Sequence, residues 1–350
     1  MRKFIINIAF LCIIFSSLVV FINYSIDASG VITPGSYYEM ADLALSGNTI
    51  VTPLNYNERL YQAAIVEKMK NIPSTIVIGC SRGMFLGVEI TGFKNLYNNC
   101  VSGACIEDYY AILGLYYRKF SKLPQRVIIE TSPWIFFKDN PESRWKEQDV
   151  YSSAAKELYK LINNKDLINS RAGENPYVSI PYFRHNVLFL MREGLSAFKK
   201  KFAKIRTTEN ERVEYPDGSV APSLENDIEQ RLKAVRSTTG AVIYQNVNYM
   251  TEIAKENIVD YENMLNFLLS RDVEIIIYMQ PFSVTQCCYS FDDGENAVFR
   301  DVEDYLQELG SRKNIKVIGG FDARNFNLSD ENFTDFMHLD KKGTKTVWNN

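Results

Sequence analysis

Histidine is the scarcest chemically useful residue in this chain: there are two, His185 and His338. That scarcity excludes a histidine-rich metal centre and leaves two candidates for an imidazole base. A basic excess is also missing, with 39 Lys and Arg against 42 Asp and Glu. The electrostatic footprint of a nucleic-acid binder is therefore absent. Charged residues make up only 23% and hydrophobic ones 46%, which excludes a disordered chain. What is plentiful is aromatic: 21 Tyr and 21 Phe among 350 residues, enough for one large domain or two modest ones. Internal repeats and low-complexity tracts are not evident.

The amino terminus sets the compartment. Residues 4 to 21 (FIINIAFLCIIFSSLVVF) carry no charge and follow Arg2 and Lys3. A run of that length just crosses a hydrocarbon core of about 30 Å. The positive-inside rule then keeps Arg2 and Lys3 in the cytoplasm and places the chain after Asn23 outside. A cleaved signal peptide is the rival reading, but its apolar core would be shorter, and the nearest small-residue site, Ala28-Ser29-Gly30, is weak. Cys12 lacks the small residue that a lipoprotein signal needs before it. The expectation is a signal-anchor transmembrane segment and short linker over residues 1–30. A mildly acidic body facing the periplasm or cell surface then occupies residues 31–350.

Six cysteines suit that compartment without defining a disulfide framework. Cys100 and Cys105 are close enough in sequence to bridge a short loop, whereas a bridge between adjacent Cys287 and Cys288 would be strained. Most read more simply as small buried apolar residues. Cys287-Cys288 has no histidine near it, and Asp292-Asp293 reads as a turn. No metal or cofactor is expected.

Short apolar runs alternate with helical patterns, the signature of a parallel α/β sheet. Five strands are expected at residues 75–79 (TIVIG), 96–98, 126–131 (RVIIET), 274–280 (EIIIYMQ) and 316–321 (KVIGGF). Ile106, Tyr110, Leu113, Tyr117 and Phe120 recur at helical spacing, as do Met250, Ala254, Ile258, Tyr261, Leu265 and Leu268. A further helix is expected from Ala297 to Leu309. Residues 140 to 246 break the rhythm and read as a helical insertion between the third and fourth strands. That segment holds Lys199-Lys200-Lys201, a solvated helix face or a contact for anionic polymer or lipid headgroups.

Gly79-Cys80-Ser81-Arg82-Gly83 follows the first strand directly, where open α/β sheets place their sites. It also spells G-x-S-x-G, the α/β-hydrolase elbow, but that fold needs several strands before its serine and only one precedes Ser81. Near the other end lies Asp335-Phe336-Met337-His338. A spacing of three can put a carboxylate and an imidazole on one side of a turn. His338 could then take a proton from Ser81 while Asp335 fixes its tautomer. The plainer alternative has Asp335 capping a terminal helix and His338 on the surface. His185, with no acid nearby, reads as packing or lid.

This pairing resembles the SGNH/GDSL hydrolase superfamily over roughly residues 55 to 348. The resemblance implies a flavodoxin-like three-layer α/β/α sandwich in which Ser81 is nucleophile, His338 base and Asp335 acid. It further implies that the N–H groups of Ser81 and Gly103 hold the oxyanion, Gly103 being the glycine of the second block in Asn99-Cys100-Val101-Ser102-Gly103-Ala104. The third block departs from the pattern. Where the family has Gly-x-Asn-Asp, this chain has Glu130-Thr131-Ser132-Pro133-Trp134, so Thr131 or Ser132 would substitute as donor. One such donor can be worth about 2.7–4 kcal/mol of barrier. The anchor, the insertion, the Ser-Pro-Trp segment and the stretch 333–339 (FTDFMHL) are similar to the D-alanine-transfer proteins of teichoic acid synthesis. They are also similar to anchored proteins that O-acylate surface polysaccharides.

The resemblance thus implies a membrane-anchored serine acyl-esterase or O-acyltransferase of the cell envelope. Its partners would be an acyl donor, a surface polysaccharide or other envelope acceptor, and a membrane-bound O-acyltransferase. The alternative is a catalytically degenerate envelope protein that keeps the fold and binds glycan or an acyltransferase partner.

Overall fold

The structure is a computed structural model describing residues 2–33, 35–52, 56–138, 140, 142–147, 149–167, 175–198, 204–205, 212–221, 228–237, 253–287 and 297–350. The expectations for Lys199-Lys200-Lys201, Met250, Cys288 and Asp292-Asp293 fall outside these residues.

The chain opens with α1 (Arg2–Ile26), whose residues Lys3–Ile26 form one helix long and apolar enough to cross a membrane. After α2 (Gly35–Leu45) and α3 (Glu58–Lys68) comes β1 (Thr75–Ile78), the first strand of the central sheet. The remaining strands of that sheet are β2 (Leu96–Asn98), β3 (Arg126–Glu130), β4 (Glu274–Met279) and β5 (Lys316–Gly319). All five run parallel, in the order β2-β1-β3-β4-β5. The chain therefore reverses its direction of travel across the sheet at β1, and the crevice of such a sheet opens at the carboxyl ends of β1 and β3.

The β-branched runs are continuous because the middle strands are covered on both faces. Every residue of β1 is buried, as are Val127 to Glu130 of β3 and Ile275 to Met279 of β4. Helix α4 (Ile106–Phe120) connects β2 to β3 and is buried all round over most of its length, Ile106, Tyr109, Tyr110, Ile112, Leu113, Leu115 and Tyr116 included. Its Gly114 lets α5 (Asp149–Asn163) close in, since a Cβ there would lie 2.3 Å from the Ala154 carbonyl oxygen. Next come α6 (Ile180–Glu193), α7 (Ile228–Ser237) and α8 (Lys255–Leu269), the last burying Tyr261, Met264, Leu265 and Leu268. Helix α9 (Ala297–Lys313) connects β4 to β5, and α10 (Lys341–Trp348) ends the chain.

The stretch from 140 to 246 is not wholly helical. Val213–Glu214 and Val220–Ala221 pair antiparallel with each other, and Val213–Glu214 also pairs with Ile50–Val51, which in turn pairs with Lys204–Ile205. Two-residue strands are too short to carry a period-two signal, so sequence patterning passes over them. Helix α6 leaves the sheet altogether and packs on α1, where Asn186 and Phe189 are buried.

Candidate active site

Ser81 stands at the carboxyl end of β1, and the turn that presents it is shaped by glycine and by one buried carboxylate. Gly79 has φ +149°, and a Cβ there would lie 2.5 Å from Glu130 Cβ, so the chain passes flush over the end of β3. The Cys80 N–H then donates to Glu130 Oε2 at 2.8 Å. A single 3₁₀ turn follows over Ser81–Gly83. Ser81 is partly exposed, and among the described residues nothing accepts its N–H.

The second half of the site is a tight loop between Phe333 and Leu339, which pair across its base. Thr334 N–H donates to the His338 carbonyl at 2.8 Å, and Asp340 N–H to the Asn332 carbonyl at 2.7 Å. Inside the loop, Asp335 Oδ1 accepts the N–H groups of Met337 and His338 at 2.8 and 2.9 Å. Its Oδ2 lies 2.7 Å from His338 Nδ1. A carboxylate only accepts, so Nδ1 carries the proton and Nε2 presents its lone pair. Ser81 Oγ lies 2.7 Å from that Nε2, across 257 residues of sequence. Partial burial pushes the Asp335 carboxyl up, but the His338 hydrogen bond and charge, with the two N–H donors, hold it below its ordinary value of 3.8. The His338 and Asp335 side chains keep 25% and 35% of their exposure, so both are open to solvent. Asp335 does not cap α10; that role belongs to Asp340, which accepts from Gly343 N–H at 2.7 Å.

Beneath these three residues lies a buried polar layer that sequence reading missed. Glu130 is fully buried and takes the Ser132 hydroxyl on Oε1 at 2.6 Å while Oε2 holds Cys80. Arg82 is also buried, with Nη1 3.4 Å from Ser132 Oγ and Nη2 donating to the Gln280 carbonyl. Its guanidinium lies 4.0 Å from the centre of the Phe282 ring. Gln280 in turn donates from Nε2 to the Met337 carbonyl at 2.9 Å, and Ser283 N–H donates to the Phe336 carbonyl at 3.1 Å. The serine turn and the Asp335–His338 loop are thus joined through the end of β4. The sequence signal for this layer is a charged residue, Glu130, closing the buried apolar run Val127–Ile129.

The other expected residues occupy different positions. The Thr131 hydroxyl is 2.9 Å from Tyr261 Oη, and the Ser132 hydroxyl is committed to Glu130. Gly103, at φ +60°, follows a loop that runs beside the serine turn, with Val101 N–H donating to the Gly79 carbonyl at 3.0 Å. A Cβ on Gly103 would meet the Arg144 guanidinium, which also donates to the Ser102 carbonyl at 2.8 Å. Among the described residues no hydrogen bond joins Gly103 to Ser81. Cys80, Cys100 and Cys105 are free buried thiols, so Cys100 and Cys105 are not bridged. Burial raises all three well above the ordinary thiol range. His185 lies on α6 with Nε2 3.2 Å from Ser29 Oγ and its ring stacked on Tyr182.

No protein-family model matches this chain, and no curated protein matches it.

Proposed function

We propose that this chain is a membrane-anchored serine acyl-ester enzyme of the SGNH type, acting on acyl esters of the cell envelope. One observation carries the reading: the Ser81–His338–Asp335 relay, two contacts of 2.7 Å at the carboxyl edge of the parallel sheet. The strand order β2-β1-β3-β4-β5 supports a flavodoxin-like three-layer sandwich, with residues 140–246 inserted between β3 and β4.

In this reading Ser81 Oγ attacks the acyl carbonyl as His338 Nε2 takes its proton. Asp335 holds the imidazole in the required tautomer and stabilises the imidazolium. The Ser81 N–H, with no acceptor of its own among the described residues, is the first oxyanion donor, and Gly103 is proposed as the second. Collapse expels the leaving group, which receives the proton from His338. The acyl-serine then passes to water or to a polysaccharide hydroxyl, with His338 again acting as base.

The anchor is proposed to remain on the mature protein, its body outside the membrane. Asn23 and Asp27 are tied to Asn186 and Tyr182 of α6, so cleavage near residue 30 would strip a folded contact. The decisive experiment is intact mass of the full chain in detergent micelles after a fluorophosphonate probe. One adduct on Ser81, lost in Ser81→Ala and His338→Ala, is the expected result. Absence of any adduct on folded protein favours the second reading, a glycan- or partner-binding protein. The commitment of the Thr131 and Ser132 hydroxyls to buried partners is the observation on that side.

A further inference from the structure

The contact between α6 and α1 has an unusual polar core. Asn23 is fully buried, and its amide nitrogen lies 2.8, 3.2 and 3.1 Å from the carbonyl oxygens of Pro176, Tyr177 and Ser179. Its Oδ1 accepts from Asn186 Nδ2 at 3.1 Å, and Asn186 Oδ1 accepts the Ala28 N–H at 2.9 Å. One side chain of an apolar helix thus satisfies the irregular backbone that leads into α6. Water would do this without help, whereas lipid cannot, and non-helical backbone survives at membrane depth only where protein satisfies it.

The depth of the contact agrees. The Phe183 ring packs edge-on against Phe15, with centroids 6.2 Å apart. Phe15 is eight residues below Asn23, which places it about 12 Å inside the helix at 1.5 Å per residue. Tyr24 stacks on Tyr177 near the mouth of the contact, where aromatic belts mark the interface.

The side of α6 turned away from α1 is uncovered and carries Leu188 and Met191 beside the exposed Arg184 and Arg192. Leu188 and Met191 are 55% and 78% exposed, and Leu195, in the turn Gly194–Phe198 that follows the helix, is 84% exposed. Helix α1 is exposed along the same stretch, with Phe15 and Leu18 open at 51% and 47%. The two helices meet at the packed Phe15–Phe183 pair.

We infer that α6 and the turn Gly194–Phe198 lie in the outer leaflet of the bilayer, with Leu188, Met191 and Leu195 against acyl chains. The inference rests on the reading of α1 as a membrane anchor. It adds a second, non-spanning contact, which fixes the body against the membrane surface rather than leaving it on a tether.

The test is photo-crosslinking of the full chain in nanodiscs of phosphatidylcholine and phosphatidylglycerol. Benzoylphenylalanine is placed singly at Phe10, Leu188, Met191, Leu195 or Leu161, the last an exposed apolar residue of α5. The expected result is a phospholipid-mass adduct at Phe10, Leu188, Met191 and Leu195 and none at Leu161. An adduct at Phe10 with none at Leu188, Met191 or Leu195 overturns the inference and leaves the anchor standing. No adduct at Phe10 overturns the anchor and the inference together. A chain-to-chain adduct at Leu188, Met191 or Leu195 in place of lipid assigns the face to a second copy and also overturns it.

Discussion

The side-chain amide of Gln280 donates to the main-chain carbonyl of Met337 at 2.9 Å, one residue before His338. Gln280 is buried at the end of β4, and its own carbonyl receives Arg82 Nη2. Arg82 follows Ser81 directly, so Gln280 couples the Ser81 turn to the His338 loop. Gln280→Met keeps the volume and removes the donor. Small displacements of reacting groups are costly. Fluorophosphonate labelling of Ser81 should slow about tenfold, equivalent to about 1.4 kcal/mol of barrier. Unchanged labelling in a folded Gln280→Met protein would show that the loop holds its shape alone.

Asp335→Asn tests the tautomer argument. Asparagine can still accept the Met337 and His338 N–H groups, so the loop should persist. Its amide would face Nδ1 as a donor, driving the proton to Nε2 and leaving Ser81 without a base. Labelling should fall by about 10³-fold or more. Stability carries a separate signature. The folded Asp335 carboxyl titrates below its unfolded value, so its contribution is present above the ordinary carboxylate range and is lost as pH falls through the folded pKa. Thermal melts of wild type and Asp335→Asn should therefore converge only in strong acid.

The sheet was legible because buried parallel strands leave unbroken β-branched runs: TIVI, RVIIE and EIIIYM all form strands where those letters stand. The position of Ser81 was legible because it follows such a run directly, and the Asp335–His338 pair because of its spacing of three. What escaped was everything decided by partners distant in sequence. Glu130 reads as a polar strand end, yet its function is set by a Cys80 N–H fifty residues earlier. Nothing around Arg82 in the sequence marks it as buried, yet it packs against Phe282. The seating of α6 on α1 was invisible because an apolar helix face does not state which surface it meets.

Glu214 offers a pH-dependent prediction away from the site. Its carboxyl is buried, accepting Tyr61 Oη at 2.7 Å and Tyr97 Oη at 3.2 Å. Burial pushes it up from 4.5 to about 8, against the opposing pull of those hydroxyls and of Arg212. The native state therefore binds more protons than the unfolded chain between those values. Stability from this group is complete below 4.5 and is lost as pH rises through about 8. Thermal midpoints in detergent should fall across that window in wild type and fall less in Glu214→Gln. Parallel curves for the two proteins would mean that Glu214 is not the titrating group.

Removing residues 1–30 takes α1 away from α6. Helix α6 would lose Asn23 and the Ala28 N–H as partners for Asn186, and Asp27 as the acceptor for the Tyr182 hydroxyl. Phe189 and Ala197, now 4% and 2% exposed, would lose Ile22 and Ile26 from their cluster. Losing about 1.4 kcal/mol of local stability raises the open population tenfold, and proteolysis follows that population when reclosing is fast. Cleavage within residues 175–198 should therefore rise about tenfold or more. Ser81 labelling should persist, because the contacts that hold the Ser81 turn and the His338 loop all come from residues after 30. Equal protection of α6 with and without residues 1–30 would show that the helix stands without α1. A loss of labelling together with protection would instead tie the site to α1.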